Sequence, residues 1–396
     1  MNHRSSRLTT LVAGTIAVLA AVTLTACGSS NGSGSSGTTS GAASTGSSGV
    51  DHAKSEVESH LAALSSFKAP GGPISGLDAL KGGTITYVPI TLQATFFQAQ
   101  YEQISQAAAP LGIKVQSCDA KSQPTVATQC INQAVAAKSI GIITDSIPFA
   151  LAQNAFDAAA AANIPILASD ANEPVPASLT GKVVTSTTGQ DVGGRLMADA
   201  IIADSGGSAH VLFVNSTSNN SAKQVSAAVQ DEFKAYCPGC VVSTATWEPT
   251  SVQKIPTAVS VGLNADPKIN YVYTQYDTPA GPLVLQGMQL SKQGSSLKLV
   301  GYGADPAALQ RIKNGTQLAD VATDSGLGAW NNTDRLLRTI TKTPVPAEAA
   351  YTLPRRIFNS TNVSSVGDLT VDAFKSGAWF SDGQFRSTYK QIWGVS

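Results

Sequence analysis

Short β-rich apolar runs alternate with alanine-rich stretches along most of this chain. The runs Thr84–Pro89, Ile113–Ser117, Ile140–Thr144 and Pro165–Ala168 read as strands. Between them Phe97–Ala109, Thr125–Ala137 and Phe149–Ala161 read as helices. After Val183-Val184, a helix over Asp191–Ala203 opens a second series. Its strands are Ala209–Val214, Val241–Ala245, Tyr271–Thr274 and Leu297–Gly301, and its helices Ser221–Tyr236, Val252–Leu263 and Gly281–Leu290. Apolar runs separated by helices imply parallel strands buried on both faces. Right-handed crossovers then make a doubly wound α/β sheet. Two such series predict two similar lobes. In such sheets ligands bind beyond the carboxyl ends of the strands. The candidate loops are therefore Thr91–Phe97, Asp145–Ile147, Asp170–Glu173, Asn215–Ser221, Trp247–Thr250, Gln275–Thr278, Tyr302–Asp305 and Asp324–Gly326.

The pattern ahead of residue 82 is different. Asp51–Phe67 predicts a short helix with Val57, Leu61 and Leu64 on one face, ended by Ala69-Pro70-Gly71-Gly72-Pro73. From Gly28 to Val50 nearly every residue is Gly, Ser, Thr, Ala or Asn, which reads as a flexible tether with a reach of about 25–30 Å. Leu8–Leu24 is uncharged and apolar or small, and follows His3, Arg4 and Arg7. Leu24-Thr25-Ala26-Cys27 looks like a bacterial lipobox, with 1–26 as signal peptide and Cys27 as the lipidated first residue. The alternative is an uncleaved membrane helix, but Gly28-Ser29-Ser30 follows where a stop-transfer charge would stand. The expected location is the extracytoplasmic face of a cell membrane, held by a lipid anchor.

Lys plus Arg and Asp plus Glu both number 26. With no basic cluster, a nucleic-acid partner is not expected. Four cysteines besides Cys27 fit an oxidising compartment. The preferred pairs are Cys118–Cys130, tying a strand end to the next helix, and Cys237–Cys240, a small loop. Cys237-Pro238-Gly239-Cys240 also has the C-x-x-C spacing of a redox or zinc site, but without a nearby histidine or second pair. The histidines are His3, His52, His60 and His210. Only the last lies in the α/β region, so a Ser-His-Asp machine or a histidine metal site lacks material. No nucleotide-binding glycine motif follows a strand. A glycosidase would have to use loop aspartates such as Asp170 and Asp324. An enzyme is not expected, nor any cofactor or metal.

From about 82 to 396 the order of segments resembles the type I periplasmic sugar-binding proteins, the ribose-binding group of ABC-transporter receptors. Tyr87–Phe97 resembles the first strand and the loop whose aromatics stack on a sugar. Asn163–Asp170 resembles the fourth strand with its cleft aspartate, and Leu299–Asp305 the strand before the last quarter. The resemblance implies two lobes joined by three crossovers near Thr185–Thr188, Thr323–Gly326 and Ala350–Leu353. Lobe 1 would hold 82–186 with 325–351, and lobe 2 would hold 187–324 with 352–396. Residues 27–81 would be anchor, tether and spacer helix.

The resemblance also implies Phe96 and Phe97 as stacking rings and Asp170 as acceptor of hydroxyls. Lys223 falls where the family has an arginine, Tyr276-Asp277 where it has Asn-Asp, and Asp324 where a hinge glutamine is common. Ala171 and Gly303 replace polar family residues. Asp145 and Trp247 complete the candidate site, with Tyr302 and Trp330 as further aromatic walls and Asp305 as a contact or helix cap. The strand-end loops carry Asp145, Asp170, Glu173, Glu248, Asp277, Asp305 and Asp324 but no Arg or Lys. That favours a neutral polyol or a cation over an anion. The expected function is a monomeric lipid-anchored receptor that closes on a sugar or polyol and delivers it to an ABC permease. The alternative is a receptor reporting to a membrane signalling partner, or one taking a cationic or aromatic ligand.

Overall fold

The computed structural model describes residues 41–395 except Thr352. The signal peptide, Cys27 and the first part of the tether lie outside the described residues. The chain opens with α1 (Gly41–Ser59). The first α/β series follows as β1 (Thr84–Pro89), α2 (Thr95–Ala108), β2 (Lys114–Ser117), α3 (Pro124–Ala136), β3 (Gly141–Asp145), α4 (Gln153–Ala161), β4 (Ile166–Ser169) and β5 (Val183–Ser186). The second is α5 (Gln190–Ser205), β6 (His210–Ser216), α6 (Asn220–Tyr236), β7 (Val241–Trp247), α7 (Ile255–Ala265), β8 (Tyr271–Thr274), α8 (Ala280–Gln289), β9 (Lys298–Tyr302), α9 (Pro306–Lys313) and β10 (Ala319–Thr323). Then come α10 (Ser325–Thr341), β11 (Arg355–Asn359), α11 (Val371–Ser376) and α12 (Gln384–Ile392).

The strands form two sheets, ordered β2-β1-β3-β4-β5 and β11-β10-β9-β8-β6-β7. All pairs are parallel except β10 with β11. Strands β3, β4, β8 and β10 are buried at every residue, as strands covered by helices on both faces must be. Edge strand β2 instead alternates exposed and half-buried positions. The chain passes between the sheets after β5, after β10 and before β11, and α10 returns to the first lobe, where Leu327, Trp330, Leu336 and Leu337 join Ile85, Tyr87, Ile143 and Leu167 in one apolar cluster. Both expected disulfides are present, Cys118–Cys130 and Cys237–Cys240.

Helix starts follow local chemistry. Asn219, Asp305 and Asp324 cap α6, α9 and α10, each side chain accepting an amide N–H from the first turn. Proline sets a further start. The helix expected from Val252 begins at Ile255, where Pro256 fits a first turn because its missing N–H has no partner to lose there. Phe149–Ala161 divides into a short 3-10 turn and α4.

Three expectations need correction. The helix expected over Asp51–Phe67 runs instead over Gly41–Ser59, entering the Gly/Ser tract. Val50, Ala53, Val57 and Leu61 pack on the α5/α6 cluster, and tertiary burial overrides poor helix propensity. Leu64 does not share that face; it packs in the other lobe's cluster. Thirdly, 352–396 does not all lie with lobe 2. Phe358, Phe374, Trp379 and Phe380 pack with Ala304, Leu309 and Ala322, whereas Phe385, Tyr389 and Trp393 pack on Trp330. Phe385 and Tyr389 stand four residues apart on one face of α12, which directs that helix to lobe 1.

Residues 60–74 run as a strap between the lobes. Ile357 donates its N–H to His60 O (2.7 Å) and Leu64 to Phe380 O (2.8 Å). Further on, Arg338 donates to Gly72 O (2.7 Å) and Ile74 to Ile392 O (3.0 Å).

Candidate functional site

The carboxyl ends of the two sheets face each other. On the lobe 1 side, β3 ends at Asp145, which is buried and accepts a hydrogen bond from Tyr87 Oη (2.9 Å). Strand β4 leads to Asp170, also buried, at φ 52°. A left-handed backbone at a non-glycine residue is uncommon and carries strain. Here the surroundings hold it: Asp170 N–H donates to Ser186 O (2.8 Å), and its carboxylate accepts from Thr188 N (2.6 Å) and Thr188 Oγ1 (3.0 Å). Asn332 of α10 ties β4 to β5, accepting from Ser186 Oγ (2.7 Å) and donating to Ser169 Oγ (3.3 Å).

Burial raises both carboxyl pKa values by penalising the charged form. Asp145 lies well above the usual range, through burial and then the charge of Asp170. Asp170 is pushed up to about 6; burial raises it, while Thr188 and the positive charge of Arg355 hold it down.

Lobe 2 supplies aromatic and amide groups. Tyr276 and Ser221 both donate to Gln190 Oε1 (3.2 Å each). Gln275 donates to Ala222 O (3.0 Å) and accepts from Ser216 N (2.6 Å), joining β8 to β6 and α6. Tyr276 meets Tyr302 edge to face, with ring centres 6.4 Å apart. Tyr302 lies so close over Gly193 of α5 that a side chain there would overlap its ring. Arg355, buried at the start of β11, donates to Leu353 O, Thr188 O and Gly189 O, so it clamps two crossovers together. The field of Asp170 reaches the opposite lobe. It raises the pKa of Tyr276 behind burial and Tyr302, and that of Tyr302 behind burial and against the pull of Arg355. At the rim, Asn220 donates to Glu173 Oε2 (3.2 Å) and Gln224 to Asn172 O (3.3 Å), bonding lobe 2 directly to lobe 1.

The expected site residues divide. Asp170 lies within electrostatic reach of Asp145 on its own lobe and of Tyr276 and Tyr302 opposite. Phe96 and Phe97 form an edge-to-face pair at the start of α2, half-buried and outside the apolar clusters. Others are placed elsewhere. Trp247 packs in the lobe 2 core with Val259 and Leu263. Lys223 is exposed on α6. Asp277 is enclosed within lobe 2, its Oδ2 accepting from Asp305 N (3.4 Å). Asp324 caps α10 and accepts from Ser381 Oγ (2.6 Å), bracing a crossover. Asp305 caps α9 (Ala308 N, 2.7 Å), and Trp330 stacks on Trp393 in lobe 1.

Sequence reasoning missed Thr188, Gln190 and above all Arg355. The inventory of strand-end loops contained no arginine, yet the third crossover brings one in. The only signal was the position of Arg355 just past the expected crossover at Ala350–Leu353.

Two parallel α/β lobes, opposed at their strand ends and joined by three crossovers, define a two-lobe receptor of the type I periplasmic binding protein fold. The chain belongs to the periplasmic binding protein domain family, which it matches over residues 85–331. That family consists of solute-binding proteins, not enzymes. Among solved structures, an ABC transporter solute-binding protein of Actinobacillus succinogenes with bound D-allose is similar at 18% identity and TM-score 0.62, covering 72% of this chain and 99% of the other. A carbohydrate transporter protein of Acidothermus cellulolyticus with myo-inositol is similar at 22% identity and TM-score 0.59, covering 74% and 98%. A solute-binding protein of Agrobacterium vitis with allitol shows 19% identity and TM-score 0.62, covering 72% and 98%. Among curated proteins, no sequence match is found.

Proposed function

We propose that this protein is an extracytoplasmic receptor, lipid-anchored through Cys27, that traps a neutral polyhydroxylated ligand between its lobes and delivers it to an ABC permease. The observation that carries this reading is the convergence of Asp170, Thr188 and Arg355 at the crossovers with Tyr276 and Tyr302 of lobe 2. A carboxylate and a guanidinium offer acceptor and donor to hydroxyls, while ring faces suit the apolar C–H side of a sugar. Arg355 revises the expected charge of the cleft. Its positive charge is opposed by Asp170, so the pair favours a neutral ligand over a cation or an anion. Allose, allitol and myo-inositol in the similar structures belong to that chemical class.

The test is thermal unfolding of the purified protein against pentoses, hexoses, polyols, amines and organic acids. A ligand at 100 times its Kd adds about 2.7 kcal/mol of stability, a shift of a few degrees for a chain this long. A shift with one sugar or polyol is expected. A shift with only an amine or an organic acid overturns the ligand class.

A further inference from the structure

Away from the cleft, three potential ligands meet where α1 lies across α5 and α6. They are His52 of α1, Asp199 of α5 and Glu232 of α6, with one donor atom from each within 4.8 Å of the others. His52 Nε2 stands 3.4 Å from Glu232 Oε1, and its ring is held by stacking on Tyr236 at 3.7 Å and 14°. Asp199 is 1% exposed and Glu232 7%. Asp199 Oδ1 accepts no N–H or O–H among the described residues, and the Asp199 carboxyl lies within hydrogen-bond reach of the Glu232 carboxyl. A buried carboxylate oxygen without a donor is costly, so its environment calls for a proton or a cation. The surroundings are acidic. Glu56, one turn beyond His52 on α1, adds to the negative field at Asp199. Arg195 opposes it but is itself paired with Asp191 (3.1 Å).

We propose that His52, Asp199 and Glu232 form a divalent-cation site of the zinc class that staples α1 to lobe 2. Zinc bonds to nitrogen and oxygen are about 2.0–2.2 Å, so tetrahedral ligand atoms stand about 3.4 Å apart. The His52–Glu232 separation already has that value. Rotation of the Asp199 carboxylate brings in the third ligand, and water completes the set. One imidazole with two carboxylates suits zinc better than calcium, which prefers six or more oxygens. His52 lies before the region the family shares, whereas Asp199 and Glu232 lie within it. The site therefore exists only because α1 docks on the receptor, and the ion would hold the membrane-proximal helix there. The competing state is a proton on Asp199, whose pKa burial and the neighbouring Glu232 and Glu56 carboxylates raise to about 8.

The test uses the untagged full chain, stripped with a chelator and titrated with Zn²⁺ alone, with retained metal counted after dialysis. One zinc per chain is expected. Asp199→Asn and His52→Ala should each weaken binding more than tenfold. His210→Ala, which removes a histidine paired with Asp266 on lobe 2, should leave it unchanged. Zinc should also slow amide hydrogen exchange over residues 47–59 in the parent protein and not in Asp199→Asn. The proposal is overturned if the parent retains no zinc, or if both variants retain it as tightly as the parent; Asp199 then carries a proton instead.

Discussion

Each lobe carries a pair of buried aspartates, Asp145 and Asp170 at the ends of β3 and β4 in lobe 1, and Asp277 beyond β8 beside Asp320 within β10 in lobe 2, and the two pairs have different partners. In lobe 1, Asp145 and Asp170 are met by Tyr87, by Thr188 of the first crossover and by the charge of Arg355 next to the third. In lobe 2, Asp277 and Asp320 meet over Gly301, with partners from their own lobe: Gln317 Nε2 donates to Asp320 (2.6 Å), Ala304 N donates to it (2.9 Å), and Asp305 N donates to Asp277. Burial raises both members of the lobe 2 pair, Asp277 well above the usual range and Asp320 to about 7. Two carboxyls so placed share a proton. Buried aspartates of the same type therefore differ in their partners: the lobe 1 pair is met by groups of the crossovers, the lobe 2 pair by groups of its own lobe.

The largest expected effect is on the lobe 2 pair. A Cβ at position 301 would overlap Asp277 Oδ1 and Asp320 Oδ2, both on buried side chains. Gly301→Ala should cost about 3 kcal/mol in urea unfolding, at the upper end of overpacking penalties. Ligand affinity of the folded fraction should change little. Next comes Asp170→Asn, which removes a charged acceptor worth about 1.5–3 kcal/mol. Calorimetry with the cognate ligand should show binding about 10–100-fold weaker, whereas Asp277→Asn stays within about twofold. Equal losses in the two variants would break the comparison.

A further effect is on pH dependence. Unfolded aspartates titrate near pH 4, while folded Asp170 and Asp320 titrate near 6 and 7. Between these values the folded chain holds protons that the unfolded chain has lost, so stability falls as pH rises from about 4 to 7. Unfolding at pH 5 and pH 8 should show the protein more stable at pH 5. Asp277→Asn should flatten the slope, because the amide can donate to Asp320 as the shared proton does. An unchanged slope would mean the lobe 2 pair is not the source.

Much of the architecture was legible along the chain. Alternation of apolar runs and alanine-rich stretches located strands β1 to β4 and β6 to β9, because burial on both faces demands continuous apolar residues; β5, at Val183–Ser186, was not marked as a strand. The spacing of the four cysteines pointed to both bridges, since each pair joins segments adjacent in sequence. The place of Asp170, just past β4, was legible as a strand-end loop. What tertiary structure decided involves partners distant in sequence. Val50, Ala53 and Val57 make a helix out of a glycine- and serine-rich segment only because α5 and α6 offer a surface to bury them. Trp247 and Asp277 end strands in the same way as groups of the cleft, and only packing sends them into the lobe interior. Arg355 reaches Thr188 and Gly189 because the third crossover returns beside the first. Local pattern records which face of an element is apolar, and so it predicts elements. A site is set by which elements the closed chain brings together, and that depends on contacts between residues far apart in sequence.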